Sequence, residues 1–149
     1  MTKIESIYES FKNLKSGSIY EILDTLEIEI NYNPLLIPHR RDSMIICDGG
    51  HTAIFLRPIA DTNYREFLLW HELGHYILHY NPKLKMNYAL STYRDKYEQE
   101  ANLFAVFGIL AHADLSDRHG IDAAISGGVP AVVASDIFRL LQANNYTMK

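Results

Sequence analysis

His71, Glu72 and His75 stand within five positions of one another in "FLLWHELGHYIL". Positions i and i+4 of a helix lie one above the other on the same face, so His71 and His75 can aim two imidazole nitrogens at one point. Neutral imidazole ligates zinc at about 2.0–2.1 Å. Glu72 adjoins His71 and precedes His75 by three residues, which places its carboxylate on the flank of that stripe. There it reaches a metal-bound water without ligating the metal, the position a general base needs. Zinc brings the pKa of a bound water to about 7, and a carboxylate can take its proton as it attacks a carbonyl. The chemistry this points to is peptide hydrolysis. The alternative is a surface helix with three solvated polar residues. The flanks oppose it, because "EFLLW" and "YIL" make the helix apolar around most of its circumference. Buried histidines beside a buried glutamate need partners, and a metal supplies them.

A catalytic zinc usually takes three protein ligands and leaves a position open. The extended pattern H-E-x-x-H-x-x-G-x-x-H does not apply, since Leu78 and Asn81 occupy its later glycine and histidine positions. His79 is four residues after His75 but two turns from His71, about 12 Å along the axis, so all three cannot reach one ion. His79 is expected behind the ligands or in the core. The downstream run "YEQEANLFA" offers Glu98 and Glu100, about 200° apart around a helix, so one of them faces the metal. Glu100 shares the apolar side with Tyr97, Phe104 and Phe107, whereas Glu98 aligns with Arg94 and Asp95 and reads as solvated. Glu100 is therefore the expected third ligand, with Glu98 as the alternative.

These residues need two packed helices to position them. Asp61 or Thr62 is placed to cap a helix from about Asn63 to Tyr80, with Pro82 as its stop. After the polar loop "NPKLKMNYALS", a second helix begins near Thr92, and its apolar positions run almost all round. Upstream, Ile4, Ile7, Tyr8, Phe11 and Leu14 recur at helical spacing, and "KSGS" separates them from the helical run "IYEILDTLE". Between Glu27 and Pro58, "IEINYN", "SMIICD" and "HTAIFLR" read as short strands of a small, mostly antiparallel sheet, with "DGG" turning the last two. The C-terminal stretch reads as two short helices broken at Gly127-Gly128, with Pro130 in the first position of the last. The fold class is α+β: one domain over 1–149, with N-terminal helices in 1–26, a catalytic core in 27–111 and a helical pair in 112–149.

The 149 residues are 48% hydrophobic and 21% charged, an ordinary globular composition. A net charge of −4 repels a phosphate backbone. Single Cys47 excludes an internal disulfide and a multi-cysteine metal site. With no apolar run near the ~18 residues of a membrane span and no signal-peptide core, a cytoplasmic protein with no membrane association is expected.

The pair "FLLWHELGHYILHY" and "EQEANLFA" resembles the signature of the ImmA/IrrE metallo-endopeptidases, over roughly Glu27 to Ala111. The resemblance implies a compact zincin-like domain holding one Zn2+ per chain through His71, His75 and Glu100, with Glu72 as general base and proton shuttle. It also implies a protein substrate, a helix-turn-helix transcriptional repressor whose cleavage relieves repression of a phage, a mobile element or a stress response. One departure is "FGILAHA" where the family's second helix commonly ends in a Leu-Leu-Met-Pro-like segment, which loosens the inference about substrate.

Two further expectations concern the substrate. If "HTAIFLR" is an edge strand, an extended peptide can add to it through main-chain hydrogen bonds. Tyr88, Tyr93, Tyr97, His79 and His112 are candidates to stabilise the oxyanion. The C-terminal pair has the layout of a helix-turn-helix, yet its second helix carries one basic residue, Arg139, so packing or partner recognition is expected there and not direct nucleic-acid binding. The competing function is a non-hydrolytic antirepressor with a structural zinc. Glu72 favours the enzyme, since a structural site needs no base.

Overall fold

A computed structural model describes residues 2–14, 17–80, 94–113 and 119–146. The first helix, α1, spans Lys3–Lys12 and is capped by the Thr2 side chain. Helix α2, Ile19–Thr25, begins with a capping box in which Ser18 and Glu21 satisfy each other's backbone N–H groups. Together they bury Ile4, Ile7, Ile19, Ile22 and Leu23.

Three strands follow: β1 (Ile28–Asn31), β2 (Ser43–Asp48) and β3 (His51–Leu56). The antiparallel β2–β3 hairpin turns at Gly49 and Gly50, whose φ values of +54° and +87° suit residues without a Cβ. β1, however, pairs parallel to β3, so the order is β1–β3–β2 and "HTAIFLR" is the central strand. The expected edge strand is thereby corrected. Ala53, Ile54 and Leu56 are nearly solvent-free, because a central strand is covered on both faces and paired on both edges. Among the described residues, the free edges belong to β1 and β2. A 3₁₀ turn at Pro34–Leu36 helps bridge β1 to β2.

Helix α3 (Thr62–His79) is capped by Asp61, whose side chain accepts from Tyr64 N, and it ends where Tyr80 turns extended at ψ 128°. Helix α4 (Arg94–Ala111) packs along it. The expected start near Thr92, the loop "NPKLKMNYALS" and Pro82 lie outside the described residues. Helices α5 (Gly120–Ser126) and α6 (Ala131–Ala143) form the C-terminal pair. Pro130 caps α6 one position before the expected one. Among the described residues, no helix is long and apolar enough to cross a membrane.

Close approach of α3 and α4 sets the geometry of everything between them, and two glycines permit it. A Cβ on Gly74 would stand 3.1 Å from Phe104 Cβ and 3.3 Å from Ala101 Cα. At Gly108 the indole of Trp70 lies where a Cβ would be, 2.4–2.7 Å from it. Phe11 of α1 closes this seam with edge contacts to Trp70 and Phe104 at 5.9 Å each. Gly108→Ala is expected to cost about 1–3 kcal/mol through overpacking, seen as a thermal midpoint several degrees below that of the parent chain.

Candidate metal centre

Four side chains from the facing sides of α3 and α4 meet at one place. The Nε2 atoms of His71 and His75 are 3.2 Å apart. The two carboxylate oxygens of Glu98 stand 3.1 Å from His71 Nε2 and 3.1 Å from His75 Nε2. Ligands about 2.05 Å from a tetrahedral zinc lie about 3.3 Å from one another, and the spacings between the two nitrogens, and from each nitrogen to its own Glu98 oxygen, are on that scale. Both other ring nitrogens are engaged: His71 Nδ1 with Asn102 Oδ1 at 2.7 Å, and His75 Nδ1 with His79 Nδ1 at 2.9 Å. The Nε2 atoms are thus the ones turned to the shared point.

Glu72 is the fourth member. Its carboxylate is grouped with His71 and His75, the three ligand-type atoms all lying within 4.8 Å of one another. It is 2% exposed. Oε2 accepts a 2.6 Å hydrogen bond from Ser43 Oγ at the start of β2, while buried Oε1 has no hydrogen-bond partner. One oxygen is held by the sheet and the other is left for a reacting group.

Glu100 sits elsewhere. Its Oε1 is 2.9 Å from His79 Nε2 and its Oε2 pairs with Lys3 Nζ at 3.5 Å. The structure brings Glu98 to the histidine pair, not Glu100, and the expectation that Glu98 is solvated does not hold. Burial and proximity to the histidine pair point to different carboxylates. Glu100 is the more buried at 6%, but its partners are His79 and a lysine. A carboxylate at an open catalytic sphere must stay reachable, and the Glu98 side chain is 31% exposed.

The family described as the IrrE N-terminal-like domain, a peptidase family, matches residues 24–123. The chain belongs to the ImmA/IrrE peptidase family. It is also 31% identical over 137 residues, 87% of this chain and 84% of the relative, to an uncharacterized immunity region protein 2 of Bacillus phage phi105. No solved structure matches. Membership supports a metallopeptidase-type function, and the His71–Glu72–His75 cluster is its structural counterpart.

In this ImmA/IrrE chain, electrostatics around the cluster are strongly coupled. Burial opposes charge on His71, yet the Glu98 hydrogen bond and nearby Glu72 outweigh it and raise its pKa. Burial pushes His75 down to about 4, against the pull of Glu98. For Glu98, burial acts upward, but the hydrogen bonds from both histidines hold it well below the usual carboxylate range. Burial pushes Glu72 up, with the charge of His71 and the Ser43 hydrogen bond acting against it. A proton added to the metal-free cluster therefore goes to His71 first. In an NMR titration the His71 ring should charge above its ordinary 6.5 and His75 only near pH 4.

Asn102 and Ser43 were not anticipated from the sequence. The signal for Asn102 was present: it follows Glu98 by four residues, so the two share a face of α4 just as His71 and His75 share one of α3. Ser43 had no local signal, since its contact joins positions 29 residues apart. Asn102→Ala leaves His71 Nδ1 without its acceptor and should weaken metal binding about 10–100-fold, measurable by competition with a chromogenic chelator.

The cleft in front of the cluster, about 180 Å³, is lined by Arg40, Arg41, Asp42, Ser43, Tyr64 and Phe67 together with His71, Glu72, Glu98 and Asn102. Of the expected oxyanion donors, Tyr88 and Tyr93 lie outside the described residues. Tyr97 stacks on His79 at 4.3 Å, and His112 faces the carbonyls of Gly108 and Gly17. None of these described side chains lines the cleft, whereas Tyr64, Arg40 and Arg41 do.

Proposed function

We propose that this chain is a zinc-dependent endopeptidase acting on a protein, with His71, His75 and Glu98 as metal ligands and Glu72 as the catalytic base. The observation that carries the reading is the pair of histidine nitrogens 3.2 Å apart, each 3.1 Å from a Glu98 oxygen, with a buried, half-partnered carboxylate beside them. When bound, the zinc supplies a Lewis acid that polarises a carbonyl and activates water. The chain's own residues do the rest. Asn102 orients His71, and Ser43 holds Glu72 by one oxygen so that the other can accept a proton. Burial keeps that carboxylate basic, and it returns the proton to the departing amine.

A cleft of about 180 Å³ in front of the cluster offers room for an extended segment of a substrate chain. The edge strand available near the site is β2, whose first residue, Ser43, already touches Glu72. A substrate peptide adding along β2 through main-chain hydrogen bonds would cross the cleft. Arg41, 3.9 Å from Glu98, is placed to meet a developing negative charge, whereas the single hydroxyl hydrogen of Tyr64 is donated to Asp42 at 2.6 Å.

The similarity to an immunity-region protein supports a phage or mobile-element setting, and with it a cytoplasmic helix-turn-helix repressor as substrate. The test is to incubate the zinc-loaded chain with the repressor encoded beside its gene, with a chelated sample in parallel. Metal-dependent fragments are expected. Loss of operator binding in both samples without fragments would instead establish a sequestering antirepressor.

A further inference from the structure

We infer that Arg40, carried at the cleft by a turn that Arg57 clamps, selects a substrate with an aspartate or glutamate beside the bond to be cut. This rests on the endopeptidase reading above and names the kind of sequence that such an enzyme would favour. Five charged side chains line the cleft: Arg40, Arg41, Asp42, Glu72 and Glu98. Four of them are engaged. Glu72 is tethered to Ser43, Glu98 stands 3.1 Å from each histidine Nε2, Asp42 accepts from Tyr64 Oη at 2.6 Å, and Arg41 lies 3.9 Å from Glu98. Arg40 is exposed, and among the described residues no hydrogen bond or ion pair holds its side chain.

The backbone under Arg40 is held more firmly than a solvated surface arginine needs. Residues 38–41 form a β-turn closed by Arg41 N–H donating to Pro38 O at 2.9 Å, with Arg40 the third of its four residues. Buried Ile37 anchors the chain just before the turn, and Ser43, buried against Glu72, anchors it just after. Arg57, which follows β3, closes the frame. Its Nε donates to Arg41 O at 2.7 Å, one Nη donates to Ile37 O at 3.3 Å and Pro38 O at 3.2 Å, and its backbone N–H donates to Asp42 O at 2.9 Å. A planar guanidinium can span several acceptors in this way, whereas an ammonium is a point charge. Arg57 is thereby a positioning residue, fixing the place from which the Arg40 side chain extends.

An unclaimed guanidinium on a fixed turn suits a carboxylate, which it meets through two parallel N–H···O bonds. The rest of the cleft favours the same sign. Two arginines there face three carboxylates, and with a divalent ion in the metal centre the balance turns from net negative to net positive. An acidic residue of an extended substrate is then drawn to Arg40, and a basic one is repelled.

The test uses the full zinc-loaded chain and the repressor encoded beside its gene, with the cut mapped by mass spectrometry. An aspartate or glutamate is expected within about two residues of the cut, the reach of one side chain along an extended strand. Changing that residue to glutamine should lower kcat/KM about five-fold, the upper size of an exposed charge pair, with the loss carried by KM and shrinking as salt is added. Arg40→Glu should cleave the parent repressor poorly and recover on a repressor that carries lysine at the same place. Arg57→Lys should reduce the preference for the acid over glutamine. Binding of the same repressors to the Glu72→Gln chain, followed by fluorescence anisotropy, should give the same order without turnover. A cut with no acidic residue near it, or an Arg40→Glu chain that cleaves and binds the parent and lysine-bearing repressors alike, would overturn the role of Arg40 and leave the endopeptidase standing. A loaded parent chain that yields no fragments would overturn the endopeptidase reading, and the role of Arg40 with it.

Discussion

Glu72→Gln should lower peptide cleavage by about 10²–10⁴-fold, the range assigned to a positioned general base, while the chain stays folded and still binds zinc. The amide is nearly isosteric and can still accept from Ser43 Oγ, so the 2.6 Å tether to β2 is retained. What it loses is basicity at the second oxygen, which is buried and has no hydrogen-bond partner. The burial that raises the Glu72 pKa also means that a neutral side chain there is not costly to the fold. Cleavage assays on the same substrate, with zinc content measured in parallel, separate this outcome from simple metal loss. Cleavage at the parental rate in a zinc-loaded Glu72→Gln sample would remove Glu72 from the mechanism.

The second large effect is expected at Glu98. Removing a direct ligand should weaken zinc by more than the about 10–100-fold expected for partners such as Asn102 that act through a ligand. Glu98→Ala also takes from each histidine Nε2 a contact at 3.1 Å. Thermal melts give a convenient reading, because zinc at about 1,000 times its Kd adds about 4 kcal/mol to the stability of a chain that binds it only when folded. The parent should show a clear rise in melting temperature on zinc addition that the chelator reverses. The Glu98→Ala chain should show little of either. A parental rise in the variant would mean that another residue completes the site.

The two helices that carry the chemistry were legible because local rules govern them. Asp61 caps α3, i and i+4 spacing puts His71 over His75, and the apolar flanks bury the pair. The third carboxylate was harder, because two glutamates on one helix compete and the more buried of them, Glu100, is not the one that stands beside the histidines. Spacing was the better guide, since Glu98 and Asn102 repeat on α4 the four-residue step of His71 and His75 on α3. Strand order lay beyond local rules, since β1 and β3 pair across the whole β2 hairpin. The apolar run Ala53-Ile54-Phe55-Leu56 nevertheless carried a hint, as a strand covered on both faces reads without polar alternation. That reassignment leaves β2, whose Ser43 bonds Glu72, as the edge strand to which the proposed substrate would add.

The most direct test of the account is anomalous diffraction at the zinc edge on crystals of the zinc-loaded chain. One peak per chain is predicted within bonding distance of His71 Nε2, His75 Nε2 and a Glu98 oxygen, with Glu72 close by but not coordinating. A peak held by Glu100 and His79, or one that Glu72 itself ligates, would contradict it.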